Sequence, residues 1–218
     1  MDDTDFAKLC LATYSTPPSL SVPASGAYVC ITQFPGRIVF AFRGSISAED
    51  WVRDFLFLPI QAREHPQLGF CHAGFLDLAE SIVSAVLAAA APNDEIDLTG
   101  HSLGGAEAVG VGALMVLAGR PPARIVTFGA PRFGMDKFVN VLLAVKVLPQ
   151  YRRGNDIVPE VPRDVPPLWR FLDTRAPLIE VGKPQTDFLK CHNINGYVDD
   201  VTAYIAQQTA VHVMEPTG

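Results

Sequence analysis

The chain has 218 residues, 49% of them hydrophobic, with 17 basic against 23 acidic side chains and a net charge of −6. That length and apolar content suffice for a full core and no shift in composition divides the chain, so a single domain over residues 1–218 is expected. The acidic balance, without any cluster of Lys or Arg, excludes a surface that tracks phosphates, and with it nucleic acid as a partner.

Asp5 to Tyr14 reads as a helix, followed by the proline-rich loop "STPPSLSVPASG". "AYVCITQF" and "RIVFAFRG" read as strands, and Pro35-Gly36 between them has the turn chemistry of a hairpin or tight connection. A polar segment and a loop from Pro59 to Gly69 lead to "FLDLAESIVSAVLAAAA", which has helical periodicity. Then come a strand from Glu95 to Thr99, a helix from Gly105 to Leu117, the strand "ARIVTFGAP", a helix around Met135 to Leu142 and the strand "VKVLPQYRR". Strands alternating with helices predict an α/β fold, with a mainly parallel central sheet covered on both faces. In such sheets the reacting side chains collect at the carboxyl ends of the strands.

The apolar runs at Ile82 to Ala91 and Ala108 to Ala118 are too short to span a bilayer, so no transmembrane segment is expected. The acidic start "MDDTDFAKLC" lacks an apolar leader region, which predicts a cytoplasmic chain, with secretion after loss of a leader as the alternative. Cys10, Cys30, Cys71 and Cys191 lack CxxC spacing, so neither a zinc site nor a dithiol redox centre is expected. Free thiols are the default, and a disulfide stays open because pairing depends on geometry.

Gly100-His101-Ser102-Leu103-Gly104 falls between a strand and a helix of small residues. A serine nucleophile on a sharp strand-to-helix turn needs glycines at i−2 and i+2, where other side chains would collide with the strand or the helix start. Such a serine needs a base, and the base an orienting acid. His192 and His212 are the histidines that follow Ser102. His192, at the junction of a loop and a helix, is preferred over His212 in the polar tail. For the acid, Asp156 follows directly on a predicted strand, whereas Asp164 and Asp173 lie deeper in proline-rich loop and Asp199 and Asp200 fall on a solvated helix face. The backbone N–H of Leu103 and the N–H or hydroxyl of Ser45, just past "FAFRG", are the candidate donors to a tetrahedral oxyanion. His101 reads as a packing residue at a strand end and His72 as a backbone hydrogen-bonding residue at its helix start. Glu107 stands out because it follows the serine by about one turn, under the expected site.

Taken in order, "FAFRGS", "EDWVRD", "CHAGFL", "LTGHSLGGAEA", "VTFGAPRFG", "GNDIVPEVP" and the histidine before "NINGY" resemble the class 3 lipase family, from about Val29 to Tyr197. The resemblance implies an α/β-hydrolase fold, a Ser102–Asp156–His192 triad and oxyanion donors at Ser45 and Leu103. It implies hydrolysis of acylglycerol-like or other fatty-acyl esters through an acyl-enzyme, without cofactor or metal, and with transient contact with a lipid interface. Phospholipase A1 or feruloyl-type esterase activity is the alternative on the same scaffold; outside enzymes, it is an acyl-binding module. In that family a mobile cover follows the oxyanion loop, a place held here by Ser45 to Ile60. Trp51, Phe55 and Leu58 recur there at helical spacing as candidate lid or substrate contacts, a stripe that packed core also produces.

Overall fold

The computed structural model describes residues 1–45, 59–172 and 178–214. Two aspartates fix the start of the first helix, α1 (Asp3–Ala12): the Asp2 carboxylate accepts from the Asp5 N–H at 3.2 Å, and the Asp5 carboxylate accepts from the Asp2 N–H at 3.1 Å. This reciprocal cap satisfies donors that a helix start otherwise leaves unpaired, so α1 begins before the expected Asp5.

Three strands follow, β1 (Leu20–Val22), β2 (Ala27–Phe34) and β3 (Arg37–Phe42), each antiparallel to the next. β4 (Pro59–Gln61) and β5 (Phe70–His72) make a separate antiparallel pair, after which the chain alternates: α2 (Ala73–Ala89), β6 (Glu95–His101), α3 (Leu103–Leu117), β7 (Arg124–Phe128), α4 (Asp136–Val141) and β8 (Gln150–Arg153). It ends with β9 (Ile179–Val181), α5 (Phe188–Cys191) and α6 (Ile194–Met214). The main sheet runs β1-β2-β3-β6-β7-β8-β9, and every neighbouring pair from β3 onward is parallel.

Alternation along the strands divides the core into two layers, because successive side chains leave opposite faces of a sheet. Ile38, Phe40 and Phe42 of β3 join Ile82 and Val86 of α2 and Ala106, Val109 and Ala113 of α3 in one buried cluster. Val39, Val126, Phe128 and Tyr151 join Phe6 of α1 and Tyr197 and Val201 of α6 in the other. Helices therefore cover both faces, as the βα alternation predicts.

The differences from expectation are local. The strands β1 and β4 fall in stretches read as loop, β5 and β9 in stretches given no element, and each has three residues, too few to carry a visible alternation. β8 starts at Gln150 rather than near Val145, because Pro149 has no N–H to give to the ladder. The tail holding His212 is the last turn of α6, not a polar coil.

This topology brings three loops to one end of the sheet. Ser45 lies just beyond β3, Ser102 follows directly on β6, and Asp156 lies just beyond β8. His192 caps the C-terminus of α5 and enters the same place from the loop before α6.

Candidate active site

Ser102 is the N-cap of α3 and has φ 59° and ψ −131°, the one non-glycine residue with positive φ among the described residues. A side chain in this region costs on the order of 1–3 kcal/mol of strain, which the surrounding structure must offset. The flanking glycines make the turn sterically feasible. A Cβ at Gly100 would run into the Gly104 carbonyl, and a Cβ at Gly104 would run into the Phe42 carbonyl on β3. The serine is thereby held at the junction of strand and helix, with its Oγ 2.8 Å from His192 Nε2.

His192 Nδ1 lies 2.8 Å from Asp156 Oδ2. A carboxylate only accepts, so the imidazole carries its proton on Nδ1 and presents the bare Nε2 to the serine hydroxyl. Asp156 is held by two further donors: the Val158 N–H reaches Oδ1 at 2.9 Å, and the Tyr197 hydroxyl reaches Oδ2 at 2.6 Å. Burial alone would push the Asp156 carboxyl up. The hydrogen bond and charge of His192, with those two donors, outweigh it and hold the group below the ordinary carboxylate value. Ser102 and Asp156 have no exposed surface and His192 is 4% exposed, so these polar groups meet one another rather than water. The arrangement suits transfer of a serine proton to an imidazole whose orientation a carboxylate fixes.

The alternatives weighed on sequence fall elsewhere. Asp164 faces Arg132 at 3.8 Å and Arg170 at 3.7 Å, Asp200 bonds Arg153 Nε at 2.5 Å, and Asp199 is exposed. Asp200 is thus a paired residue rather than part of a solvated face. Asp173, the candidate lid residues Trp51, Phe55 and Leu58, and the side chain of His212 lie outside what is described.

Leu103 is the first residue of α3, where a backbone N–H has no intrahelical acceptor and is free to meet a ligand. The loop after β3 lies alongside, since a Cβ at Gly44 would come 3.0 Å from Ser102 Cβ, and Ser45 follows it. His72 behaves as expected, accepting from the Phe75 N–H at its helix start at 3.3 Å. Glu107 is 2% exposed and its Oε1 has no hydrogen-bond partner; burial raises its carboxyl well above the ordinary value. Among the described residues, no cluster of three His, Cys, Asp or Glu could hold a metal ion.

The sequence reading missed Tyr197, whose hydroxyl bonds Asp156 while accepting from the Arg153 N–H at 3.1 Å. The tyrosine stands at the end of the same "NINGY" stretch that follows the histidine, so the signal was present but carried no role. His101 was read as packing alone, yet both its ring nitrogens are hydrogen-bonded inside this site.

A family model described as lipase (class 3) matches residues 39–165, more than half of the chain. The chain belongs to the class 3 lipase family. A secreted mono- and diacylglycerol lipase from Fusarium solani is 34% identical to this chain over 145 residues, covering 63% of this chain and 43% of the relative. Its Penicillium cyclopium counterpart, also named as secreted, is 26% identical over 153 residues, covering 65% of this chain and 48% of the relative. The chain thus spans less than half the length of these curated relatives. Lipase II from Rhizopus niveus superposes with a TM-score of 0.60 at 27% identity, over 75% of this chain and 64% of that one. The sheet order and flanking helices are those of an α/β-hydrolase fold.

Proposed function

We propose that this chain is a serine carboxylester hydrolase acting on acylglycerol-like or other fatty-acyl esters, with Ser102, His192 and Asp156 as its catalytic triad. The observation that carries the reading is the continuous hydrogen-bond path from Ser102 Oγ through His192 to Asp156, each step 2.8 Å long and buried. His192 Nε2 takes the Ser102 proton as the oxygen attacks the ester carbonyl, and Asp156 stabilises the imidazolium that forms. The backbone N–H of Leu103 and a donor from Ser45 receive the developing oxyanion. The protonated His192 then gives its proton to the departing alkoxide. Water, activated by the same imidazole, attacks the acyl-enzyme and releases the acid.

The lipase names of its relatives support a fatty-acyl substrate, and contact with a lipid surface goes with that substrate. The Fusarium and Penicillium relatives are named as secreted, which supports the secreted alternative over a cytoplasmic location. We also read residues 1–218 as one α/β-hydrolase domain, because both helical layers pack on the same sheet.

The test is a panel of p-nitrophenyl esters of increasing acyl length, run beside emulsified mono-, di- and triglycerides and a phospholipid. In parallel, an organophosphonate is used as a label and mapped by mass spectrometry. Ester turnover with the label on Ser102 is expected. Fastest acyl release from the phospholipid would point instead to a phospholipase A1. A folded protein with neither turnover nor label would be an acyl-binding module.

A further inference from the structure

His101 precedes the proposed nucleophile in sequence and is 5% exposed. Its Nε2 lies 2.8 Å from the backbone carbonyl oxygen of His192, and its Nδ1 lies 2.8 Å from the Tyr14 hydroxyl. A carbonyl only accepts, so the proton of a neutral His101 must sit on Nε2, and Nδ1 must accept from Tyr14. The Tyr14 oxygen also packs on Gly44, the residue before Ser45, since a Cβ there would come 2.5 Å from it. Every donor in this path is matched by one acceptor. The path runs one way, from the Tyr14 hydroxyl through the His101 ring to the His192 carbonyl.

We propose that Tyr14 and His101 are positioning residues that tie the proposed oxyanion loop to the proposed base through this strut, packed against Gly44 at one end and hydrogen-bonded to His192 at the other. The inference rests on the triad reading above and adds two residues to it. Three features support a working device over ordinary packing. The path joins the two groups that must stay in register as charge develops, the donor loop at Gly44 and Ser45 and the backbone of His192. It passes through a ring whose centroid is 4.8 Å from that of His192, close enough that a shift of one moves the other. It also admits no slack at its far end, since a Cβ at Gly44 would come 2.5 Å from the Tyr14 oxygen and 2.6 Å from the His101 carbonyl oxygen.

The tautomer is also protected. Burial, then the neighbouring His192, lower the His101 ring to about 3, so the strut stays neutral at neutral pH. A charged ring beside the base would oppose formation of the imidazolium on His192. Tyr14 lies in the turn just after α1, well before residue 39 where the family match begins. The N-terminal segment therefore contributes a fixed point to the site, as well as covering a face of the sheet.

The test uses the full chain and the variants Tyr14→Phe, His101→Leu and His101→Gln, the last because its amide can both donate and accept. With p-nitrophenyl butyrate, Tyr14→Phe is expected to lower kcat about 10-fold and His101→Leu about 100-fold, the scale of a small misplacement of a catalytic group, with KM within twofold of the parent. Phosphonate labelling of Ser102 should slow by the same factors, and His101→Gln should recover most of the loss. Long-range proton–nitrogen NMR of the parent protein, which needs no activity, should show His101 protonated on Nε2 and not titrating between pH 5 and pH 9, a range about two units or more above the value near 3 that burial imposes. The inference is overturned if His101 carries its proton on Nδ1, if folded Tyr14→Phe keeps parental kcat, or if His101→Gln is as slow as His101→Leu. Failure of the triad reading would look different, as a parent protein that turns over no ester at all while the His101 resonances still follow the expected pattern.

Discussion

Replacing Glu107 with leucine should raise the melting temperature of this protein, and raise it most at alkaline pH. Glu107 lies in the first half of α3, 2% exposed, with an Oε1 that meets no partner. Leaving a buried polar group unsatisfied costs about 1–3 kcal/mol, and leucine fills a similar volume without that cost. The pH dependence follows from the direction of the shift. Burial holds the folded-state carboxyl well above its value of 4.5 in an unfolded chain, so above that pH the folded state binds the extra proton. The stability associated with this group is therefore fully present below 4.5 and is lost as pH rises toward the folded-state value, at up to about 1.4 kcal/mol per pH unit.

For a chain of this size, 1 kcal/mol moves the melting temperature by about 2–4 °C. The gap between Glu107→Leu and the parent should then be several degrees at pH 5 and widen by about 3–5 °C per pH unit above it. Glu107→Gln should widen in the same way, since the amide also cannot ionise, while keeping the unsatisfied polar atom and gaining less at acid pH. Other titrating groups, Asp156 among them, are common to all three proteins and drop out of the difference. Thermal unfolding followed by circular dichroism from pH 5 to pH 9 reads this directly. A gap that stays constant across that range, or a leucine variant less stable than the parent at pH 8, would refute the assignment of Glu107 as a buried neutral acid.

Asp156→Asn should lower kcat by about 10⁴ while leaving the fold intact, because an amide can no longer hold the Nδ1–H tautomer of His192; near-parental turnover would remove Asp156 from the triad. Ser45→Ala should lower kcat roughly 10²–10³-fold at nearly constant KM if its hydroxyl meets the oxyanion, and an unchanged kcat would leave only its backbone N–H in that role. Gly104→Ala should destabilise by about 1–3 kcal/mol, seen as a lower melting temperature, since the added methyl runs into the Phe42 carbonyl. An alanine variant with parental melting temperature and activity would show that the turn after Ser102 has more room than this packing allows.

What could be read from the sequence follows from how locally each feature is encoded. β2, β3, β6 and the helices α2 and α3 are apolar runs or periodic stretches long enough to be seen without partners, and the glycines around Ser102 mark a turn that the chain makes by itself. The three-residue strands β1, β4, β5 and β9 exist because a neighbouring strand supplies the ladder, so no periodicity announces them. The candidate triad was legible for a further reason: chain order and the position of Asp156 after a strand narrow the partners of Ser102 to few residues, and the structure places Asp156 and His192 together with it.

The groups that hold the candidate triad were not legible, and the cause is physical. Tyr197, Tyr14 and His101 act through hydrogen bonds whose partners lie 41, 87 and 91 positions away in the chain. A tyrosine hydroxyl or a buried imidazole leaves no pattern in sequence unless its partner is known, and here the partners are a carboxylate, another ring and a backbone carbonyl. The same argument explains why His101 reads as packing. Its neighbours in sequence are a glycine and the serine, neither of which bonds its ring, while the atoms that fix its tautomer come from the turn after α1 and from the loop before α6. Precision at a buried site therefore depends on polar contacts between distant segments. Substitutions at such supporting residues should alter turnover more than their absence from any motif implies.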